Sequence, residues 1–135
     1  MRTVVIIGGG ASGMAAAISA SEDKQNRVIL LERQQRVGKK LLSTGNGRCN
    51  LTNTGARPEN YHGAQPDFPA AVLSRFTPED TLRFFDSLGL AVSLEYGGRV
   101  YPQSNSANSV VDVLRFALDA RGANVVTSCD VIEVK

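Results

Sequence analysis

Three observations predict an α/β fold built on a short parallel sheet. The run Val4-Val5-Ile6-Ile7 breaks abruptly into glycines, a small-residue segment of helical character follows at once, and a second apolar run, Arg27 to Glu32, ends in a carboxylate. Continuous β-branched and aliphatic runs of this kind are expected of parallel strands covered on both faces. A strand, a helix and a strand in that order make a βαβ unit.

The helix of that unit starts near Ser12, where Met14, Ala15, Ala16, Ala17, Ile18 and Ala20 offer little side-chain volume, so its axis can lie close to the sheet. After Glu32 the periodicity stops. Residues 33 to 69 form a long excursion of loops, with Leu41 and Leu42 anchoring a short helical turn, and structureless stretches of such length are usually functional or disordered. Order resumes at Thr77, which suits a helix cap ahead of Pro78, Glu79 and Asp80, and Gly89 ends that helix. Leu94-Glu95-Tyr96 and Arg99-Val100-Tyr101 read as a hairpin around a two-residue Gly97-Gly98 turn. From Ser106 an amphipathic helix carries Val110, Leu114, Ala117 and Leu118 on one face and stops at Gly122. Asn124 to Ser128 is predicted as a third strand and Asp130 to Lys135 as a fourth. That last strand has no later segment to pair with or cover it, so the chain reads as truncated, and its free edge suggests a homodimer.

Composition narrows the classes. A chain of 135 residues with 42% hydrophobic content holds one core. Fifteen basic and thirteen acidic residues leave a net charge of +2, which argues against nucleic acid or a membrane surface as partner. No apolar run approaches the roughly 20 residues that cross a bilayer. Cys49 and Cys129 lie far apart, without zinc or disulfide spacing, which suits reduced thiols in a cytoplasmic protein. His62, the sole histidine, sits in a loop without Cys or His neighbours, so no metal site is expected.

The chemistry concentrates in two stretches. Gly8-Gly9-Gly10-Ala11-Ser12-Gly13 matches G-x-G-x-x-G between strand and helix. There Gly8 permits the turn, Gly10 lets a pyrophosphate approach the backbone, and Gly13 allows close packing, while the helix start supplies free N–H groups. Glu32, at the end of the second strand, is placed to accept ribose hydroxyls and would repel a 2′-phosphate. A Rossmann-like dinucleotide site follows, for NAD or FAD rather than NADP. The long insertion before the third strand favours FAD. The second stretch, Ser43-Thr44-Gly45-Asn46-Gly47-Arg48-Cys49-Asn50, packs glycines and polar residues into the loop region.

With these motifs, the runs from Val4 to Ala20, Arg27 to Asn53, Phe84 to Leu114 and Gly122 to Lys135 resemble the N-terminal third of a bacterial family of flavoproteins with two dinucleotide-binding domains. Its members include aminoacetone oxidase-type and bile-acid-reductase-type NAD(P)/FAD-dependent oxidoreductases. The most specific element is K-K-L-x-x-[ST]-G-x-G-R-C-N, in which family members usually carry a third glycine where this chain has Asn46. The resemblance implies that residues 1 to 135 are the N-terminal part of a FAD-binding, glutathione-reductase-like Rossmann domain. A substrate domain and a returning segment that completes the flavin site would lie elsewhere in the parent.

It further implies roles. The N–H groups of Gly10, Ala11, Ser12 and Gly13 would hold the FAD pyrophosphate and Glu32 the adenosine ribose. Arg33 would flank the adenine, and Lys40 would offset phosphate charge. Ser43, Thr44, Gly45, Gly47, Arg48, Cys49 and Asn50 would follow the ribityl and flavin portion, and the backbone at Val131 would meet the adenine edge. Arg48 is equally suited to pairing with a carboxylate that holds its loop, Cys49 to plain packing, and Tyr96 and Tyr101 to cross-strand contact. No catalytic residue is assigned. The expected activity is hydride or electron transfer through FAD, with NAD(P)H or a small organic molecule as donor. The competing readings are a non-catalytic nucleotide-binding remnant that binds ADP or FAD weakly, and a plain NAD-dependent dehydrogenase.

Overall fold

The computed structural model describes residues 1–65 and 67–135. Strands β1 (Arg2–Ile7) and β2 (Asn26–Leu31) run parallel in full register, from Arg2 opposite Asn26 to Ile7 opposite Leu31, and are joined by helix α1 (Ala11–Ala20). Beyond them come β3 (Thr52–Asn53), α2 (Phe68–Leu73), α3 (Pro78–Ser87), β4 (Val92–Leu94), β5 (Arg99–Pro102), α4 (Ala107–Ala120) and β6 (Asn124–Val126). Strand β6 returns to pair with β2, so the parallel sheet has the order β1-β2-β6. This is the predicted α/β architecture, with its third strand on the far side of the second.

The core lies between one face of that sheet and two helices. Met14, Ala17 and Ile18 of α1 meet Val110, Leu114 and Leu118 of α4, above Val28 and Leu30 of β2. Each fully buried aliphatic side chain there contributes about 1.5–3 kcal/mol. Among the described residues the other face is only partly covered, where the strands were expected to be buried on both sides. Because side chains alternate along a strand, Val5 and Ile7 point away from the helices and are 53% and 55% exposed.

Helix α3 begins as its sequence requires. Thr77 Oγ1 accepts the Asp80 N–H at 3.2 Å, and the Asp80 carboxylate accepts the Thr77 N–H at 2.8 Å, closing a capping box. Gly89, at φ +80°, turns the chain out of it. Helix α4 starts at the Ser106 cap, whose hydroxyl accepts the Asn108 N–H at 3.3 Å, and ends ahead of Gly122 at φ +72°.

Three expectations need correction. The excursion after Glu32 is not all loop: it contains β3, which joins β5 and β4 in a second, antiparallel sheet of order β3-β5-β4, and α2 begins at its end. Strand β3 is only two residues long, too short for any periodicity to announce it. The hairpin exists, but its loop is Tyr96-Gly97-Gly98, because Glu95 N–H already bonds Arg99 C=O at 2.8 Å and Leu94 pairs with Val100. Finally, no fourth strand forms over Asp130 to Lys135, and the third ends at Val126. Ser128, at φ +54°, swings the backbone out of register there: Val126 C=O accepts the Glu32 N–H at 2.9 Å, while the Glu32 C=O is met by the Cys129 N–H at 2.9 Å. No described helix is long and apolar enough to cross a membrane.

Candidate dinucleotide site

The site is assembled where β1, β2 and β6 end together. After Ile7 the chain turns at Gly8, whose φ of +99° is open to glycine, while Gly8 N–H still donates to Leu31 C=O at 2.8 Å. A Cβ on Gly13 would stand 1.8 Å from the Gly8 carbonyl oxygen, so only glycine lets the helix close onto the turn. The first backbone bond into α1 runs from Met14 N–H to Gly10 C=O at 3.0 Å, and no side chain caps the N–H groups ahead of it. A Cβ on Gly10 would meet nothing within 4 Å. Free donors at a helix N-terminus beside an open backbone fit a phosphate group. The residues expected to form the cradle, Gly10, Ala11, Ser12 and Gly13, make up this uncapped helix start, with Ala11 and Ser12 exposed.

Glu32 stands just past β2. Its Oε2 accepts the Gly9 N–H at 2.6 Å and its Oε1 the Gln34 N–H at 2.7 Å. The carboxylate therefore clamps the glycine turn, and each oxygen keeps a further lone pair for an incoming hydroxyl. The Gly9 carbonyl is held in turn by the Gly38 N–H at 2.7 Å. Gly38 sits at φ +73°, and a Cβ there would lie 2.8 Å from Val111. Gly9 and Gly38 were missed in the sequence: Gly9 stands at a free position of the fingerprint, and Gly38 is a lone glycine in a loop. Their signal was the Gly9 position beside a carboxylate at the neighbouring strand end.

The Ser43 to Asn50 stretch follows a 3₁₀ turn, Leu41–Gly47, that is broken by non-helical backbone at Thr44, Gly45 and Asn46. Gly45, Asn46, Gly47 and Cys49 all have positive φ, at 54°, 56°, 81° and 60°. Asparagine tolerates this region better than other side chains, which explains how Asn46 replaces the glycine usual in the resembling family. Ser43 and Thr44 hydroxyls donate back to Lys40 and Leu41 carbonyls at 2.9 and 2.7 Å. Arg33, Lys40 and Asn50 are exposed.

Arg48 is held within the protein. Its guanidinium lies 3.9 Å over the Tyr101 ring, pairs with Glu95, and donates to Asn105 Oδ1 from Nε at 3.0 Å and from Nη2 at 2.7 Å. The hydrogen bond that it donates to Glu95 favours the charged form and raises its pKa. Of the two readings open for Arg48, loop-holding pairing is the one the geometry displays. Cys49 is 3% exposed, and burial raises its thiol pKa, against a smaller lowering by Thr44. It is a packed thiol, in the environment of a structural rather than an activated cysteine. Among the described residues no His, Cys, Asp and Glu group could hold a metal ion.

The structure brings the two stretches together. An apolar cleft of about 680 Å³ is lined by Ala11 and Ser12 from the helix start and by Cys49 and Asn50 from the loop, with Phe84, Phe85 and Leu114 behind them. Val131 is half-buried three residues beyond Ser128, on the segment that bonds the Glu32 backbone.

Comparison with known proteins agrees with this architecture. The family model described as HI0933-like protein Rossmann domain matches residues 2–135. The chain is 44% identical over 136 residues to 3-dehydro-bile acid delta(4,6)-reductase of Clostridium scindens, covering 100% of this chain and 33% of that protein. It is 34% identical over 110 residues to ribosomal RNA dihydrouridine synthase of Escherichia coli, covering 82% of this chain and 27% of that protein. The match thus spans between about a quarter and a third of the length of these relatives. Among solved structures, THI4 of Thermovibrio ammonificans superposes with a TM-score of 0.60 at 17% identity, over 93% of this chain and 38% of the other, a likeness of fold.

Proposed function

The chain belongs to the HI0933-like Rossmann-domain family, and from that membership and the open glycine turn we propose that it is the FAD-binding portion of a flavin-dependent oxidoreductase. On this reading it forms the N-terminal part of a glutathione-reductase-like domain. One observation carries it: uncapped N–H groups at the start of α1 face open space beside Gly10, and Glu32 stands at the adjacent strand end. Such a cradle binds a pyrophosphate, and the carboxylate disfavours a 2′-phosphate.

The roles then follow along the cofactor. The N–H groups of Gly10 to Gly13 bind the pyrophosphate, and the free lone pairs of Glu32 accept the ribose hydroxyls. Arg33 and Lys40 bring exposed positive charge to the phosphate and adenine side, and the Val131 backbone meets the adenine edge. The Ser43 to Asn50 loop follows the ribityl and flavin half. When bound, the flavin supplies the hydride chemistry, while the protein positions it and excludes side reactions.

For the whole protein the names of the relatives suggest a reaction class. A 3-dehydro-bile acid reductase and a dihydrouridine synthase act on unlike molecules, yet both names describe saturation of a ring carbon–carbon double bond. The proposed reaction is reduction of a double bond conjugated to a carbonyl: hydride adds to the β-carbon and a proton to the α-carbon, with NAD(P)H oxidised to NAD(P)⁺ as the electron source.

Titration of the chain with FAD and with ADP, followed by calorimetry and flavin fluorescence, tests the cofactor reading. Binding of both, with FAD the tighter, is expected. A chain that binds neither overturns it, and one that binds ADP alone supports the non-catalytic nucleotide module instead. Anaerobic mixing of the full-length protein with NAD(P)H should bleach the flavin, and an α,β-unsaturated ketone should restore its colour.

A further inference from the structure

The path from Gly45 to Cys49 is one that a free chain would not keep. Four of its five residues have positive φ, two of them not glycine, and Arg48 alone is in the right-handed region, at φ −100° and ψ −20°. Left-handed backbone at non-glycine residues persists where surrounding structure over-determines it. Within this path it is the Arg48 side chain that reaches distant parts of the chain, with hydrogen-bond partners 47 and 57 residues away and the Tyr101 ring beneath its guanidinium.

Those partners come from one place. Glu95 follows β4, Tyr101 is in β5, and Asn105 precedes the cap of α4. The ion pair is 31% and 37% exposed, so charge alone holds it weakly. The plane of the guanidinium is set by the buried Tyr101 ring beneath it and by the single Asn105 oxygen that accepts from both Nε and Nη2. Tyr101 also bears on the loop directly, since a Cβ at Gly45 would lie 3.2 Å from its ring.

We propose that Glu95, Tyr101 and Asn105 are positioning residues for the cofactor: through Arg48 they hold the Gly45 to Cys49 backbone in the path that meets the flavin half. This rests on the FAD reading above. It assigns the antiparallel sheet a task, that of fixing the flavin-side loop, while the parallel sheet fixes the adenosine side.

The test separates the two halves of the cofactor. Glu95→Gln removes the pair's charge at constant shape, and Asn105→Gly removes the shared acceptor while suiting a φ of 55°. The chain and the two single and one double variants are titrated with FAD and with ADP, and their unfolding midpoints are recorded. The double variant should bind FAD roughly tenfold more weakly, as for loss of a charge-assisted hydrogen bond, with ADP affinity unchanged. The fluorescence of bound flavin should shift as well. Equal weakening of FAD and ADP, an unchanged FAD affinity, or a parent chain that binds FAD no tighter than ADP would each overturn the proposal. Failure of the parent chain to bind either ligand would instead remove the FAD reading and this inference with it.

Discussion

The Glu32 carboxylate accepts the Gly9 N–H at 2.6 Å, so the residue predicted to bind ribose also sets the peptide at the centre of the glycine turn. Its second oxygen takes the Gln34 N–H, which ties the start of the following loop to the same clamp. Glu32→Gln would direct an amide donor at one of two N–H donors. We expect this to cost about 1–3 kcal/mol of stability, the penalty for an unsatisfied partly buried donor, and to weaken ADP binding. Urea unfolding and calorimetry measure the two effects.

Gly10 and Gly13 should behave oppositely. Gly10 has φ −81° and ψ −170°, which alanine adopts freely, and a methyl there meets nothing. Gly10→Ala is therefore expected to unfold within about 0.5 kcal/mol of the parent yet to lose ADP and FAD affinity, because the methyl occupies the ligand's approach. Gly13→Ala places its methyl against the Gly8 carbonyl and should destabilise by about 1–3 kcal/mol or more. Denaturation midpoints beside ligand titrations distinguish them, and a destabilised Gly10→Ala with normal binding would contradict the cradle.

Asn46, at φ +56°, tests the strain in the flavin-side loop. Asn46→Gly should be neutral or stabilise slightly. Asn46→Val should cost about 1–2 kcal/mol, since a β-branched residue is poorly tolerated in the left-handed region. Thermal unfolding of both variants reads this directly.

Cys49 should resist alkylation. With its thiol buried and its pKa raised by desolvation, iodoacetamide at pH 8 is expected to modify Cys129 first, and Cys49 only after denaturant is added. Mass mapping of the labelled peptides gives the order, and rapid labelling of Cys49 in the folded chain would contradict its packed position.

Asp80 carries a pH dependence of known sign. Hydrogen bonds from the Thr77 backbone, then the Thr77 side chain, then Arg83, lower its pKa from an ordinary value of 3.8. A carboxyl group whose folded pKa is depressed contributes stability that is present above the unfolded pKa and lost as pH falls through the folded one. The stabilising effect of Asp80 should therefore be complete at neutral pH and fade below about pH 4. Asp80→Asn should flatten that part of the acid limb, seen in unfolding midpoints between pH 2 and 5.

Local chemistry made much of this legible. The β1-α1-β2 unit, the Thr77 cap and the Gly89 and Gly122 stops are written in short runs whose meaning depends on near neighbours. Elements that depend on distant partners were not. Strand β3 exists because Thr52 and Asn53 meet Val100 and Arg99, and two residues have no period of their own. No strand forms over Asp130 to Lys135, although apolar alternation there satisfied the strand rule: pairing ends at Val126, and the backbone is left-handed at Ser128.

The candidate site divides in the same way. Turn geometry and helix donors are properties of consecutive residues, so the sequence by itself determined the glycine turn and open helix start at Gly8 to Gly13 and the carboxylate at Glu32. What Arg48 does was decided only by tertiary structure. Its charge suited either a cofactor or a carboxylate, and the carboxylate contact formed when the hairpin brought Glu95 and Tyr101, and the turn before α4 brought Asn105, around one guanidinium, partners close in space and far apart along the chain.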